Sequence, residues 1–423
     1  MGTRCALLSV YTKRRVSGVS HHARCYRKLL LLLYITLAVH SFLQAQPIES
    51  WTDDYIDQLA ASWPANVIDN VPKWLRWSPK GGTRMTIVQI GDSHVQGDVA
   101  AVATRTYLTR AFKLSGGAIG FSFPFGMARS NDPRAIRSHS QSGWTPVMAT
   151  KTKVEQPFGI AGAAIDAYSK PTPMHVGLRR DSPYSLPPSE VQVLFVPSQK
   201  APALRLNGVI PDTIDKDKGT ARFSFSTPPQ SLTLSLDHVE GGLNTFRFLG
   251  FVLDNQASPL VFHAAGINGA DVRTHLRNTM LPFELAVLNP QIIILSLGTN
   301  DAFNTQFDPV SFRADYTQLI RRIRFMCPKA FIVLATPNDH LYRNREPNTR
   351  VADAAETICN LAADEGCGVW DFYRIMGGEG SIYSWDSHGL TAADRLHFSP
   401  LGYRLQGTLL GVALYRMLTQ ESR

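Results

Sequence analysis

MTIVQIGDSHVQGD, residues Met85 to Asp98, decides how this chain is read. An apolar, β-branched run (Thr86, Ile87, Val88, Ile90) stops at Gly91, Asp92, Ser93 and His94, and an alanine-rich helical pattern starts at Val99. That order predicts a strand, a tight turn and a helix. A serine in such a turn is presented, because open α/β sheets keep their chemistry at the carboxyl ends of the strands. The helix that follows directs free N–H groups and a positive dipole end back toward it.

Working outward, the same alternation returns after Pro259. Strands are expected at Leu260–His263, Ile292–Leu297, Phe331–Thr336 and Gly368–Phe372. Helices are expected near 99–112, 270–287, 309–325, 349–363 and 400–418. Five strands alternating with helices make an α/β fold, a flavodoxin-like doubly wound parallel five-stranded sheet. The first two strands are separated by about 160 residues, where a crossover needs roughly 30. Residues 115–255 are rich in Gly, Pro, Ser and Thr and carry short period-two runs such as Val191–Val196 and Leu232–Leu236. They read as an antiparallel β-sandwich inserted into the first crossover, its two ends close together on the α/β domain. The expected organisation is therefore a leader (1–45), the first part of the α/β domain (46–114), the insertion (115–255) and the second part (256–423).

Composition narrows the function classes. The chain has 423 residues, 44% hydrophobic and 18% charged, with a net charge of +9. Residues 1–45 hold seven Lys and Arg and no acid, which leaves +2 for the remainder. No basic stripe interleaved with aromatics is present, so no nucleic-acid partner is expected. The basic block ends in the apolar segment Leu29–Val39 and then Ser41-Phe-Leu-Gln-Ala45, the parts of a secretory signal with cleavage after Ala45. An uncleaved N-terminal anchor is the alternative, and either way the protein is periplasmic or otherwise exported. With Cys5 and Cys25 in the leader, three cysteines remain. A Cys327–Cys367 disulfide is geometrically conceivable at neighbouring strand starts, with Cys359 as a substitute partner. None has metal-ligand spacing, and no phosphate-cradling loop or dinucleotide fingerprint is present.

The strand ends supply the chemistry. The second strand closes at Gly266-Ile-Asn-Gly269-Ala, the third at Leu297-Gly-Thr-Asn300-Asp301, and Asp394-Arg-Leu-His397 leads into the last helix through Ser399-Pro400, a cap and first-turn signal. A serine hydroxyl needs a base, and histidine has a suitable pKa near neutrality. Asp394, three residues before His397, can fix the tautomer of that imidazole. Acyl transfer also needs donors for an oxyanion, and the N–H of Ser93, a glycine N–H and the amide of Asn300 are the candidates.

Four blocks in this order resemble the SGNH (GDSL-type) hydrolase superfamily, with Ser93, Gly269, Asn300 and His397 at its four lettered positions. The resemblance covers about 240 residues in two pieces. The GDSH first block, the G-x-N-G-A second block and a β-rich insertion are most similar to the peptidoglycan O-acetylesterases of Gram-negative bacteria. The resemblance implies a carbohydrate-binding-like insertion, an O-acetylated polysaccharide as substrate, a covalent Ser93 acyl-enzyme and no cofactor. It also favours Gly269 over Gly266 as the oxyanion glycine, Gly266 then serving a tight turn. The same residues suit a glycan O-acetyltransferase, and a non-catalytic glycan-binding envelope protein is the alternative from another class.

Other polar residues compete for a role. Asp386 and His388 read as loop contacts, Asp339-His340 as a solvated loop beside the site with lining of the substrate pocket as the alternative, and Asp92 as a ligand of turn backbone groups. His94 has no assigned role at this level. Trp144 and the segment Trp74–Trp77 are candidate sugar platforms, although buried aromatics are commoner.

Overall fold

The computed structural model describes residues 51–420, except 140, 169–170, 199 and 238–245. The leader read from residues 1–45 lies outside them. Among the described residues no helix is long and apolar enough to cross a membrane.

The central sheet is five-stranded and wholly parallel, in the spatial order Leu260–Gly266, Met85–Gly91, Ile292–Ser296, Phe331–Ala335 and Gly368–Trp370. In chain order that is 2-1-3-4-5, the flavodoxin-like arrangement, with its switch point beside the strand that carries the GDSH turn. Such a strand is covered on both faces, which is why Met85–Gly91 is buried almost end to end. Alternate residues feed two cores. Ile87, Phe262, Ile292 and Ile294 pack with the closing helix Pro400–Thr419 and with Leu59 and Trp63 of the N-terminal segment. Val88, Ile90, Ile293 and Leu295 pack on the other face with Tyr316 and Ile320.

Between the first and second strands the chain forms two antiparallel sheets. The larger holds Trp144–Met148, Ala163–Ala167, Phe246–Asp254, Glu190–Phe195, Thr220–Ser224 and Thr213–Asp215, with Gly120–Ser122 paired to Phe246–Asp254. The smaller holds Ile136–Ser138, Met174–Leu178, Ser231–Leu236 and Leu204–Leu206. The insertion leaves and rejoins the α/β domain side by side. Ala118 N–H donates to Leu260 O at 3.3 Å and to Ser258 Oγ at 3.0 Å, and Phe121 N–H donates to His263 Nδ1 at 3.0 Å. Phe121, Ile165 and Phe248 of the insertion belong to the same apolar cluster as Val88 and Ile293 of the parallel sheet.

Two local expectations change. The helix expected over 270–287 is two helices, Val272–Leu276 and Leu281–Leu288. Pro282 lacks an N–H and starts a new helix rather than continuing the old one. The gap is occupied by the insertion: Thr279 N–H donates to Gln156 O and Met280 N–H to Phe158 O. The three cysteines are free thiols rather than a Cys327–Cys367 pair. Cys367 instead receives an Arg324 Nη2 hydrogen bond at 3.4 Å.

Candidate active site

Ser93 opens a one-turn helix, Ser93–Gln96, with Asp92 as its cap. The Asp92 carboxylate accepts the N–H of His94 at 2.9 Å and its carbonyl accepts those of Val95 and Gln96. This holds the turn rigid, as expected of an Asx cap. Gly266 makes room for it. A Cβ there would stand 2.6 Å from Gln96 N and 2.9 Å from Val95 Cβ, so this glycine permits close packing under the serine turn rather than a turn of its own.

His397 arrives from the other end of the chain. Ser399 caps the closing helix through Gly402 N–H, Pro400 fills its first turn, and the preceding loop folds back so that Ala392 N–H donates to His397 O at 2.9 Å. Ser93 Oγ lies 2.8 Å from His397 Nε2, and His397 Nδ1 lies 2.7 Å from Asp394 Oδ2. The other Asp394 oxygen accepts the N–H groups of Leu396 and His397, each at 3.0 Å. Burial pushes the Asp394 carboxyl up, but the hydrogen bonds from His397 and the backbone outweigh it and hold it below the usual carboxylate range. Serine, imidazole and carboxylate thus form one hydrogen-bonded line.

The donor side is built from the ends of three strands. Asn300 Nδ2 donates to Ala270 O at 2.9 Å, which fixes the amide plane; its second hydrogen has only a long contact to Asp92 Oδ2, at 3.4 Å. Gly269 adopts φ +80°, a conformation natural to glycine, with open space around it. Neither Gly269 N–H nor Ser93 N–H has a backbone acceptor among the described residues. The three groups stand beyond the carboxyl ends of neighbouring strands of the parallel sheet.

Several supporting residues were not anticipated. Gln96 Oε1 accepts Asn268 N–H at 2.7 Å, and Gln96 Nε2 donates to Ser130 Oγ and Asn131 O at 2.9 and 3.0 Å. This clasp ties the serine helix, the Gly269 turn and an insertion loop together. Gln96 was visible as a polar residue one turn after Ser93, but nothing in the sequence marks Ser130 as its partner. Asp386 is the loop contact expected: it accepts from Arg395 Nε at 2.7 Å and Thr391 Oγ1 at 2.6 Å, bracing the Asp394–His397 loop. His388 bonds its own helix at Ser384 O.

Asp339 and His340 depart from the expected solvated loop. Both are buried, Asp339 accepting Ile382 N–H at 2.9 Å and His340 flanked by Asn338 O and Asn348 Nδ2. Burial raises Asp339 to about 6 and lowers His340 to about 4. Neighbouring Asn338 donates to Leu396 O at 3.1 Å, so this loop buttresses the histidine segment. Asp92 is also raised by burial, to about 6, against hydrogen bonding from His94 N–H. Trp144 is a core residue whose Nε1 donates to Thr172 O, and Trp77 is buried. Trp74 is exposed but packs edge-on against Phe331, at the amino end of its strand and away from Ser93.

Comparison with known proteins follows the same lines. Residues 237–405 match the GDSL-like Lipase/Acylhydrolase family. Those residues, two fifths of the chain, are similar to a GDSL-type carboxylic ester hydrolase domain. A solved peptidoglycan O-acetylesterase structure is similar at 22% identity and a TM-score of 0.69, over 86% of this chain and 98% of that one. At that identity the likeness is one of fold, and its coverage takes in the GDSL-type domain together with the inserted sheets. A lipase/acylhydrolase from Enterococcus faecalis (23% identity, TM-score 0.32, 39% of this chain and 80% of that one) is also similar. So is a catalytic mutant of an acetylxylan esterase from Geobacillus stearothermophilus (18%, 0.30, 40% and 77%). No curated protein matches the sequence.

Proposed function

We propose that this protein is an exported serine esterase that removes O-acetyl groups from a polysaccharide, peptidoglycan first among the candidates. The observation that carries the reading is the unbroken line Ser93 Oγ, His397 imidazole, Asp394 carboxylate, at 2.8 and 2.7 Å. In this reading His397 Nε2 takes the Ser93 proton as Oγ attacks the acetyl carbonyl. The tetrahedral oxyanion is met by the N–H groups of Ser93 and Gly269 and the free hydrogen of Asn300 Nδ2. His397 returns its proton to the sugar oxygen as the C–O bond breaks, leaving acetyl-Ser93. Water, activated by the same imidazole, releases acetate. The chemistry calls for no cofactor.

The substrate class draws support from the similarity to a peptidoglycan O-acetylesterase over nearly that protein's whole length. Export draws support from the basic and apolar leader. The test is acetate release from O-acetylated peptidoglycan and from acetylated xylan, with p-nitrophenyl acetate as the small ester and an added oligosaccharide to capture any transfer. Ser93→Ala should abolish release from all three. A Ser93→Ala protein as fast as wild type refutes the mechanism, and faster release from xylan than from peptidoglycan refutes the substrate.

A further inference from the structure

The ring of His94 has no part in the steps above, yet it is the side chain packed most directly on the base. It lies face to face with His397, centroids 5.1 Å apart and planes 30° from parallel, and Phe398 and Tyr403 close in edgewise. Its Nδ1 meets Tyr403 Oη at 3.1 Å. The Tyr403 oxygen also accepts Phe398 N–H. The phenol has one proton to give, and the arrangement that leaves it paired gives it to His94 Nδ1, so the ring proton of a neutral His94 sits on Nε2. That Nε2 is buried and has no hydrogen-bond partner among the described residues. His94 also lines a cavity of about 40 Å³ whose polar lining includes Asp92, Gln89, Ser296, Thr299 and Asn338. One water needs roughly 10–15 Å³ by this measure and two or more polar partners, so the cavity has room for one beside polar residues.

We propose that His94 is a positioning residue for His397: a neutral ring clamped by Tyr403 that sets the plane of the catalytic imidazole and donates its Nε2–H to a water seated in the chamber against Asp92. The proposal rests on the esterase reading, because it concerns the proton that His397 takes from Ser93. The titratable groups that face the two rings are Asp394 on the His397 loop, Asp92 on the serine turn, His340 on the loop after the fourth strand, and Tyr403 on the closing helix. Burial, with His397 and His340 nearby, holds His94 well below the ordinary histidine value, so it brings no second cation beside an imidazolium.

The test compares His94→Leu, which removes the ring, with His94→Phe, which keeps a flat face on His397 and removes both ring nitrogens, the Nε2–H and the Nδ1 that accepts from Tyr403. Both are assayed on p-nitrophenyl acetate with full pH profiles. His94→Leu should lose about 100-fold in kcat with KM within twofold, and His94→Phe should recover about tenfold of that loss. Folded variants with wild-type kcat overturn the proposal, as do equal losses in the two. Tyr403→Phe, which frees Nδ1 while leaving both rings, is the second route should either variant fail to fold; wild-type kcat there also overturns it. Ser93→Ala distinguishes the two levels: activity in that variant condemns the esterase reading itself, whatever His94 does.

Discussion

Replacing Asp394 by asparagine should harm the reaction more than replacing it by alanine, and the geometry says why. Asp394 Oδ1 accepts two backbone N–H groups, from Leu396 and His397, and Oδ2 accepts from His397 Nδ1. An asparagine must keep its oxygen on the backbone pair, since an NH₂ there would face two donors. Its NH₂ then points at Nδ1 and forces that nitrogen to accept. The proton moves to Nε2, and His397 can no longer take one from Ser93. A wrong tautomer costs on the order of 10⁴ in turnover, about 5.5 kcal/mol at 1.36 kcal/mol per tenfold. In Asp394→Ala the tautomer is not inverted. The Asp394 side chain is 49% exposed, so water can occupy the vacated position, and the loss should stay near 10- to 100-fold, about 1.4 to 2.7 kcal/mol. Steady-state kcat/KM on p-nitrophenyl acetate for both variants decides it. An alanine variant as slow as the asparagine variant, or slower, refutes the reasoning.

Four further outcomes are expected. Asn300→Ala should lower kcat by about 100- to 1,000-fold with little change in KM, as for the loss of one oxyanion donor; a change confined to KM would place Asn300 in ground-state binding. Glu284 is buried, and burial raises its carboxyl to about 8 against hydrogen bonding from Ile160 N–H. The folded state therefore holds a proton that the unfolded chain releases above about 4.5, and stability falls as pH rises from there through about 8. Glu284→Gln should match wild type in Tm at pH 4 and exceed it at pH 8.5, with a ceiling of about 5 kcal/mol; a difference that does not vary with pH would contradict this. Burial raises the Cys327, Cys359 and Cys367 thiols to about 11, 12 and 11, so alkylation at pH 8 should need denaturant, and a disulfide-linked Cys327–Cys367 peptide in the digest would refute the thiol state. Ser130→Ala, which removes one of the three bonds of the Gln96 clasp, should lower kcat on a small ester several-fold; an unchanged kcat would show that the Ser130 hydroxyl does not help hold the serine turn.

The parallel sheet was legible because its strands are covered on both faces and read as apolar runs ending in turn residues. The approach of Ser93, Asn300 and His397 to one rim follows from that topology alone. What was hidden depends on the partner rather than on the residue. Asp339-His340 reads as polar loop, and only the folded chain shows Ile382, Asn338 and Asn348 enclosing the pair. The helix expected over 270–287 carries a helical pattern, and its break is set by Gln156 and Phe158 arriving from the insertion. Gln96, three residues after the serine in sequence, takes its role from Ser130 and Asn268, which lie in loops whose destination no local pattern records.

The apolar cluster that runs from Val88 and Ile293 to Phe121, Ile165 and Phe248 bears on how the molecule can be altered. A module with its own interior can be excised, grafted or exchanged while its host stands. Here the two share one interior, so an engineer who trims the β-rich portion opens a greasy wound in the sheet that carries the serine. Changes in substrate preference are better sought by rewriting individual loops than by swapping the portion as a cassette, and calorimetry should see the whole melt in a single cooperative step.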